Sequence, residues 1–143
     1  MATTKQELID GLNTDLAAEF QAIITYRLFA SLVSGPYRQE FREFFEAEVP
    51  DELAHAAYLA DKIVALGGEP VTEPLEVKIS DDNREMFEIA LQAETDTIAR
   101  YEERIGQAEE LGETGLKVRL EDLVSDETTH KEDIERILTN WPM

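Results

Sequence analysis

The only two histidines of the chain each follow a glutamate by three residues, in Glu52-Leu53-Ala54-His55 and Glu127-Thr128-Thr129-His130. Residues at i and i+3 project from one helix face, so each pair offers a carboxylate and an imidazole side by side. Glu19 and Glu94 lie within otherwise apolar stripes and add two more carboxylates. Four carboxylates buried together would repel one another, and each would be costly to desolvate. Two divalent cations remove both penalties, and mixed carboxylate and imidazole donors suit iron, manganese or zinc. The chemistry to expect is that of a dinuclear metal site.

A fixed interval supports this. Glu19 and Glu94 are 75 residues apart, as are Glu52 and Glu127, His55 and His130, Tyr26 and Tyr101, and Asp51 and Asp126. The two halves read as copies of one helical hairpin related by a pseudo-two-fold axis. Glu19 lies 16 residues before Gly35 and Glu52 lies 17 after it; Glu94 lies 18 before Gly112 and Glu127 lies 15 after it. In antiparallel hairpins these spacings bring all four glutamates to nearly one height.

The elements that must position them follow from periodicity. Helix 1 is expected from about Thr4 to Val33, with the stripe Leu8, Leu12, Leu16, Glu19, Ile23, Tyr26, Ala30, Val33. Helix 2 is expected from about Tyr37 to Leu66, with Phe41, Phe45, Glu48, Glu52, His55, Leu59, Ile63, Leu66. "SGP" at 34–36 separates the two, and "GGEP" at 67–70 ends the second. "VTEPLEVKIS" alternates rather than repeating at helical spacing and reads as an extended connection. "SDDN" at 80–83 caps helix 3, whose stripe is Phe87, Leu91, Glu94, Ile98, Tyr101, Ile105, Ala108, Leu111. After "GETG" at 112–115, helix 4 carries Leu116, Leu120, Leu123, Glu127, His130, Ile134, Ile137, Trp141. The fold class is all-α: one domain over residues 1–143, a four-helix bundle. An extended link of this length can cross the bundle at ~3.3 Å per residue, which predicts up-down-down-up topology. Pro50 interrupts helix 2. The helical spacing of Phe41, Phe44, Phe45 and Val49 argues against a helix start there and for a kinked or locally widened helix. The bend would either aim Glu52 or only accommodate the phenylalanines.

Composition narrows the rest. A formal net charge of −19 opposes nucleic acid and anionic membrane as partners and favours cations. The absence of cysteine excludes disulfides, thiolate metal sites, Fe–S clusters and cysteine nucleophiles. "MATTKQELIDGL" has no cationic region followed by an apolar run, and no apolar stretch is long enough to span a bilayer. A soluble cytoplasmic protein is expected.

Together these residues resemble the ferritin-like di-iron superfamily, and within it the bacterioferritin branch, whose ligand set is a Glu from each of two helices plus Glu-x-x-His from the other two. The resemblance implies a ferritin-like four-helix bundle holding two iron ions per chain, with manganese or zinc as alternatives. It carries over Glu19, Glu52, His55, Glu94, Glu127 and His130 as ligands. Glu52 and Glu127 would bridge; Glu19 with His55, and Glu94 with His130, would be terminal. Tyr26, in "EFQAIITY", matches a tyrosine that lies beside such sites and is the candidate catalytic side chain. Leu53 stands where bacterioferritins carry a haem-binding methionine, so no haem is expected; Met86 and Met143 are the methionines to test instead. "TNWPM" follows helix 4 with no fifth helix after it. The expectation is a homo-oligomer, a dimer at least, and an assembly other than a 24-subunit cage. Leu28, Phe29, Leu32 and Tyr58 are candidate contact residues. The implied activity is oxidation of Fe²⁺ by O₂ or H₂O₂, linked to iron storage or detoxification. The alternatives are a small non-storing di-metal oxidase or peroxidase, and a non-enzymatic metal-binding module.

Overall fold

The computed structural model describes residues 2–141. Four helices make up the fold: α1 (Lys5–Leu32), α2 (Arg38–Ala65), α3 (Asn83–Glu110) and α4 (Thr114–Thr139). Thr4 caps α1 through a reciprocal capping box with Glu7, and the Asp82 side chain accepts from the Glu85 N–H to cap α3. The turns at Gly35, Gly67 and Gly112 all require positive φ, which glycine adopts without the clash a Cβ would bring. α2 runs through Pro50 as an uninterrupted α-helix. Of the kinked or locally widened helix expected there, the widened turn is not formed, and Pro50 lies on the exposed face.

The topology is up-down-down-up. Asn83, at the start of α3, exchanges hydrogen bonds with Ser34, just past the end of α1. At the opposite end Thr3 binds Glu110, at the end of α3. α1 is therefore antiparallel to both α2 and α3. The connection between α2 and α3 runs the length of α1, secured at successive turns of that helix. Asn13 donates to the Glu69 carbonyl and accepts from the Val71 N–H. The Leu75 N–H donates to the Ala17 carbonyl, and the Gln21 side chain donates to the Glu76 carbonyl.

The interior has three layers along the bundle axis. One end is aliphatic, built on Leu8, Leu12, Leu16, Leu59, Ile63, Leu116 and Leu120. The other is largely aromatic, where Phe29, Phe45 and Phe87 are fully buried and Phe41, Phe44 and Trp141 pack against them. Phe29 thus belongs to the core and not to an outer contact face, because its position on α1 points it at Phe45. Between the apolar ends lie the buried glutamates and histidines. Among the described residues no helix is long and apolar enough to cross a membrane.

Candidate metal centre

Every helix delivers ionisable side chains to the middle layer: Glu19 from α1, Glu48, Glu52 and His55 from α2, Glu94 from α3, and Glu127 and His130 from α4. All seven are buried. They form two groups whose donor atoms lie within 4.8 Å of one another: Glu19, Glu52, His55 and Glu127, and Glu48, Glu52, Glu94 and His130. Glu52 contributes to both. Glu127 also reaches both, with His55 Nδ1 at 3.1 Å and His130 Nδ1 at 3.7 Å from its Oε1.

The outer contacts are reciprocal between the hairpins. The Tyr26 hydroxyl, from the first hairpin, donates to Glu94 Oε1 of the second. The Tyr101 hydroxyl of the second donates to Glu19 Oε1 of the first. Likewise His55 Nε2 lies 3.1 Å from Asp126 Oδ2, and His130 Nε2 lies 3.2 Å from Asp51 Oδ2. An imidazole whose Nε2–H is held by a carboxylate presents Nδ1 as its free donor, the arrangement typical of histidine ligands to metals. Both Nδ1 atoms face the centre.

The electrostatics show what the polypeptide alone leaves unresolved. Burial pushes the Glu52 carboxyl well above the usual range, and the neighbouring Glu19 and Glu127 add to it. Burial likewise raises Glu94, with a contribution from Glu127. Burial disfavours charge on His55, yet the nearby carboxylates of Glu127 and Glu19 win and raise it to about 10. His130 is raised to about 9 against the same burial penalty, chiefly by Glu48. Burial opposes ionisation of Glu127, but its close neighbours Glu94, His55 and Glu52 hold it down at about 2. Without metal the centre therefore balances itself with protons.

Protonation does not satisfy every donor. Glu19 Oε2, Glu48 Oε2, Glu52 Oε1, Glu94 Oε2, Glu127 Oε1 and the Nδ1 atoms of His55 and His130 are buried and lack any hydrogen-bond partner. Buried polar atoms are otherwise nearly always paired. Seven unpaired atoms from one cluster, all of ligand type and all facing one another, fit two metal ions.

Glu48 was legible only as a polar member of the α2 stripe. Its counterpart 75 residues on is Leu123, so the internal repeat gave no sign of a further carboxylate. Asp51, Asp126 and Tyr101 were visible as members of the repeat; their contacts across the hairpins were not. A second departure from the repeat lies one turn away. Arg104 forks onto Asp15, with Nε to Oδ2 at 2.8 Å and Nη2 to Oδ1 at 3.1 Å, and both are buried. The corresponding positions are Phe29 and Ala90.

The family model of the ferritin-like domain matches residues 9–143. The chain belongs to the ferritin-like family. Among solved structures, a ferritin-like diiron-carboxylate protein from Bacillus anthracis str. Ames is 54% identical and superposes with a TM-score of 0.94, over 96% of this chain and 99% of that one. The bacterioferritin of Rhodobacter capsulatus, solved with a metal-free dinuclear site and a haem iron, gives a TM-score of 0.83 at 26% identity over 97% of this chain and 87% of its own. The bacterioferritin of Mycobacterium bovis is 32% identical over 125 residues, 87% of this chain and 79% of its own length. The ferritin-like fold, with bacterioferritins among its relatives, matches the resemblance drawn from the Glu-x-x-His pattern.

Proposed function

We propose that this protein is a di-iron ferroxidase that oxidises Fe²⁺ to Fe³⁺ with O₂ or H₂O₂ in the service of iron storage or detoxification. The observation that carries the reading is the pair of buried donor groups sharing Glu52. Glu19 and His55 would hold one ion, Glu94 and His130 the other, and Glu52 and Glu127 would bridge them. Iron bound there supplies one electron per ion to the oxidant. Reduction of H₂O₂ to two waters takes two electrons and two protons, so a pair of ions matches the electron count. Tyr26 and Tyr101 orient Glu94 and Glu19 through their hydroxyls. Burial, reinforced by the nearby carboxylates, raises both phenols well above their usual range, so they remain proton donors. Asp51 and Asp126 fix the imidazole rings from the exposed side of the layer. Leu53 offers no thioether for haem, and Met86 is fully buried in the aromatic core; Met143 lies outside the described residues.

A second reading, a small di-metal oxidase or peroxidase without a storage cavity, draws support from one feature. A cavity of about 370 Å³ opens between α1, α3 and the crossover and is lined by Tyr26, Thr97, Arg100, Glu94 and Glu127. It gives an oxidant or a small organic substrate a path to the centre. Anaerobic titration with Fe²⁺ followed by O₂ or H₂O₂, with particle mass measured on the same sample, tests both. Rapid oxidation with retained mineral supports the first reading. Oxidation with iron shed into solution favours the second. No oxidation above the buffer rate removes both and leaves a metal-binding module.

A further inference from the structure

The two halves of the centre are not equal. The buried face of α2 presents Glu48, Glu52 and His55, whereas the matching positions of α4 present Leu123, Glu127 and His130. Glu48 is 6% exposed, and its Oε2 has no hydrogen-bond partner. That atom lies 2.8 Å from His130 Nδ1, nearer than Glu52 at 3.4 Å, Glu127 at 3.7 Å or Glu94 at 3.8 Å. An oxygen of Glu48 falls within the second donor group and not the first. At the equivalent place in the first group, Leu123 is 1% exposed and offers no donor.

We propose that Glu48 is an additional metal ligand serving only the position held by Glu94 and His130, and that it makes the two metal positions unequal in affinity. The inference rests on the di-metal reading above. With Glu52 and Glu127 shared, the first position has Glu19 and His55 to itself. The second has Glu94, His130 and Glu48. One more anionic oxygen in a dry site binds a divalent ion more tightly, because once His130 has given up its proton to act as a ligand the ion is the cation left beside that carboxylate. The second position therefore fills first, and the pair forms in sequence rather than at once. The Oε2 of Glu48, whose near neighbour in the metal-free chain is the His130 ring that would itself hold the ion, then gains a metal partner.

Anaerobic titration with Co²⁺, followed by calorimetry and by the visible absorption of the bound ion, resolves the order. Crystals soaked at a substoichiometric Co²⁺ level locate the ion by anomalous scattering. The wild-type chain should bind in two steps, with the first ion beside His130. Glu48→Leu, which copies Leu123, should weaken that first step by ~10-fold or more, since even outer partners of a metal site are worth ~10–100-fold in affinity. The two steps should then merge while the total bound is kept. Glu48→Gln, which keeps the shape and removes the charge, should lie between. Leu123→Glu should strengthen the second step. Wild-type steps and affinities retained in both Glu48 variants, or a first ion beside His55, would overturn the inference while leaving two ions per chain intact. A wild-type chain that binds no pair of ions would overturn the underlying di-metal reading instead.

Discussion

Glu127 lies within reach of both imidazoles, so its loss should be felt at both metal positions. Glu127→Ala is expected to weaken both ions by ~10-fold or more, whereas Glu19→Ala should weaken one. Calorimetric titration checks this. One ion per wild-type chain, with Glu127→Ala indistinguishable from it, would sink the bridging assignment. The protons of the metal-free centre lead to a second prediction. His55 and His130 are raised to about 10 and about 9 from 6.5. Their contribution to stability is complete below about 6.5 and is lost as pH rises through 9 to 10. Glu52 and Glu94, raised by burial, also favour the protonated folded state and act in the same direction. Glu127, held at about 2, acts oppositely: its contribution is present above 4.5 and disappears only in strong acid. The melting temperature of the metal-free protein should therefore fall from pH 6 to pH 10, and that of the loaded protein should fall less. Metal binding near pH 7 should release protons from these four groups, read as a dependence of the calorimetric heat on buffer ionisation enthalpy. A heat independent of the buffer would contradict the protonated centre.

At the scale of elements, α1 and α3 are joined by the buried ion pair of Asp15 and Arg104, and Gly11 makes room for it. A Cβ on Gly11 would lie 2.1 Å from Arg104 Nη1 and 2.3 Å from its Cζ. The guanidinium cannot retreat freely, because Asp15 and Gln107 hold it from other sides. Gly11→Ala should cost about 1–3 kcal/mol as overpacking, and more if the pair breaks, visible as a fall of several degrees in melting temperature. An unchanged melting curve would show that the guanidinium has another resting place. This pair marks the limit of what the sequence disclosed about the elements. Helix positions, the two hairpin turns and the long crossover followed from apolar spacing and glycine, and the observed ends agree within a residue or two. The stripe read on α3 omitted Arg104 and Thr97, both buried, because side chains of their type usually face water and only a partner on another helix reverses that. Glu48 escaped for a related reason. A lone glutamate on a stripe looks like an edge residue until its neighbours from α3 and α4 are in place. The six remaining candidate ligands stood out because the repeat presented them twice. Pro50 was legible as a point where α2 would kink or widen; the turn is not widened, and α2 continues through it as an α-helix with the proline on the solvent face.

For the molecule as a whole, the outer face of α1 is the place to look for assembly. Ile24, Leu28 and Leu32 follow one another at four-residue steps and are 37%, 41% and 38% exposed. Three exposed apolar side chains in one row are more than a highly acidic monomer needs. A symmetric dimer through it is expected, since a two-fold contact uses the same patch on both subunits. Leu28→Glu should shift the light-scattering mass toward the monomer. A wild-type protein that is monomeric at micromolar concentration would remove this expectation.

The crossed contacts of the centre have a bearing on its symmetry. The tyrosine of each hairpin steadies the other hairpin's glutamate, and the aspartate of each steadies the other's histidine. Everything needed for both positions is thus encoded once in residues 5–65, as Glu19, Tyr26, Asp51, Glu52 and His55. Two copies of such a hairpin, set about a two-fold axis, would offer the same donors and the same crossed supports. Carrying both hairpins in one chain lets each half differ from the other. Glu48 facing Leu123, and the Asp15–Arg104 pair facing Ala90 and Phe29, are the kind of divergence a homodimer could never have acquired on one side alone.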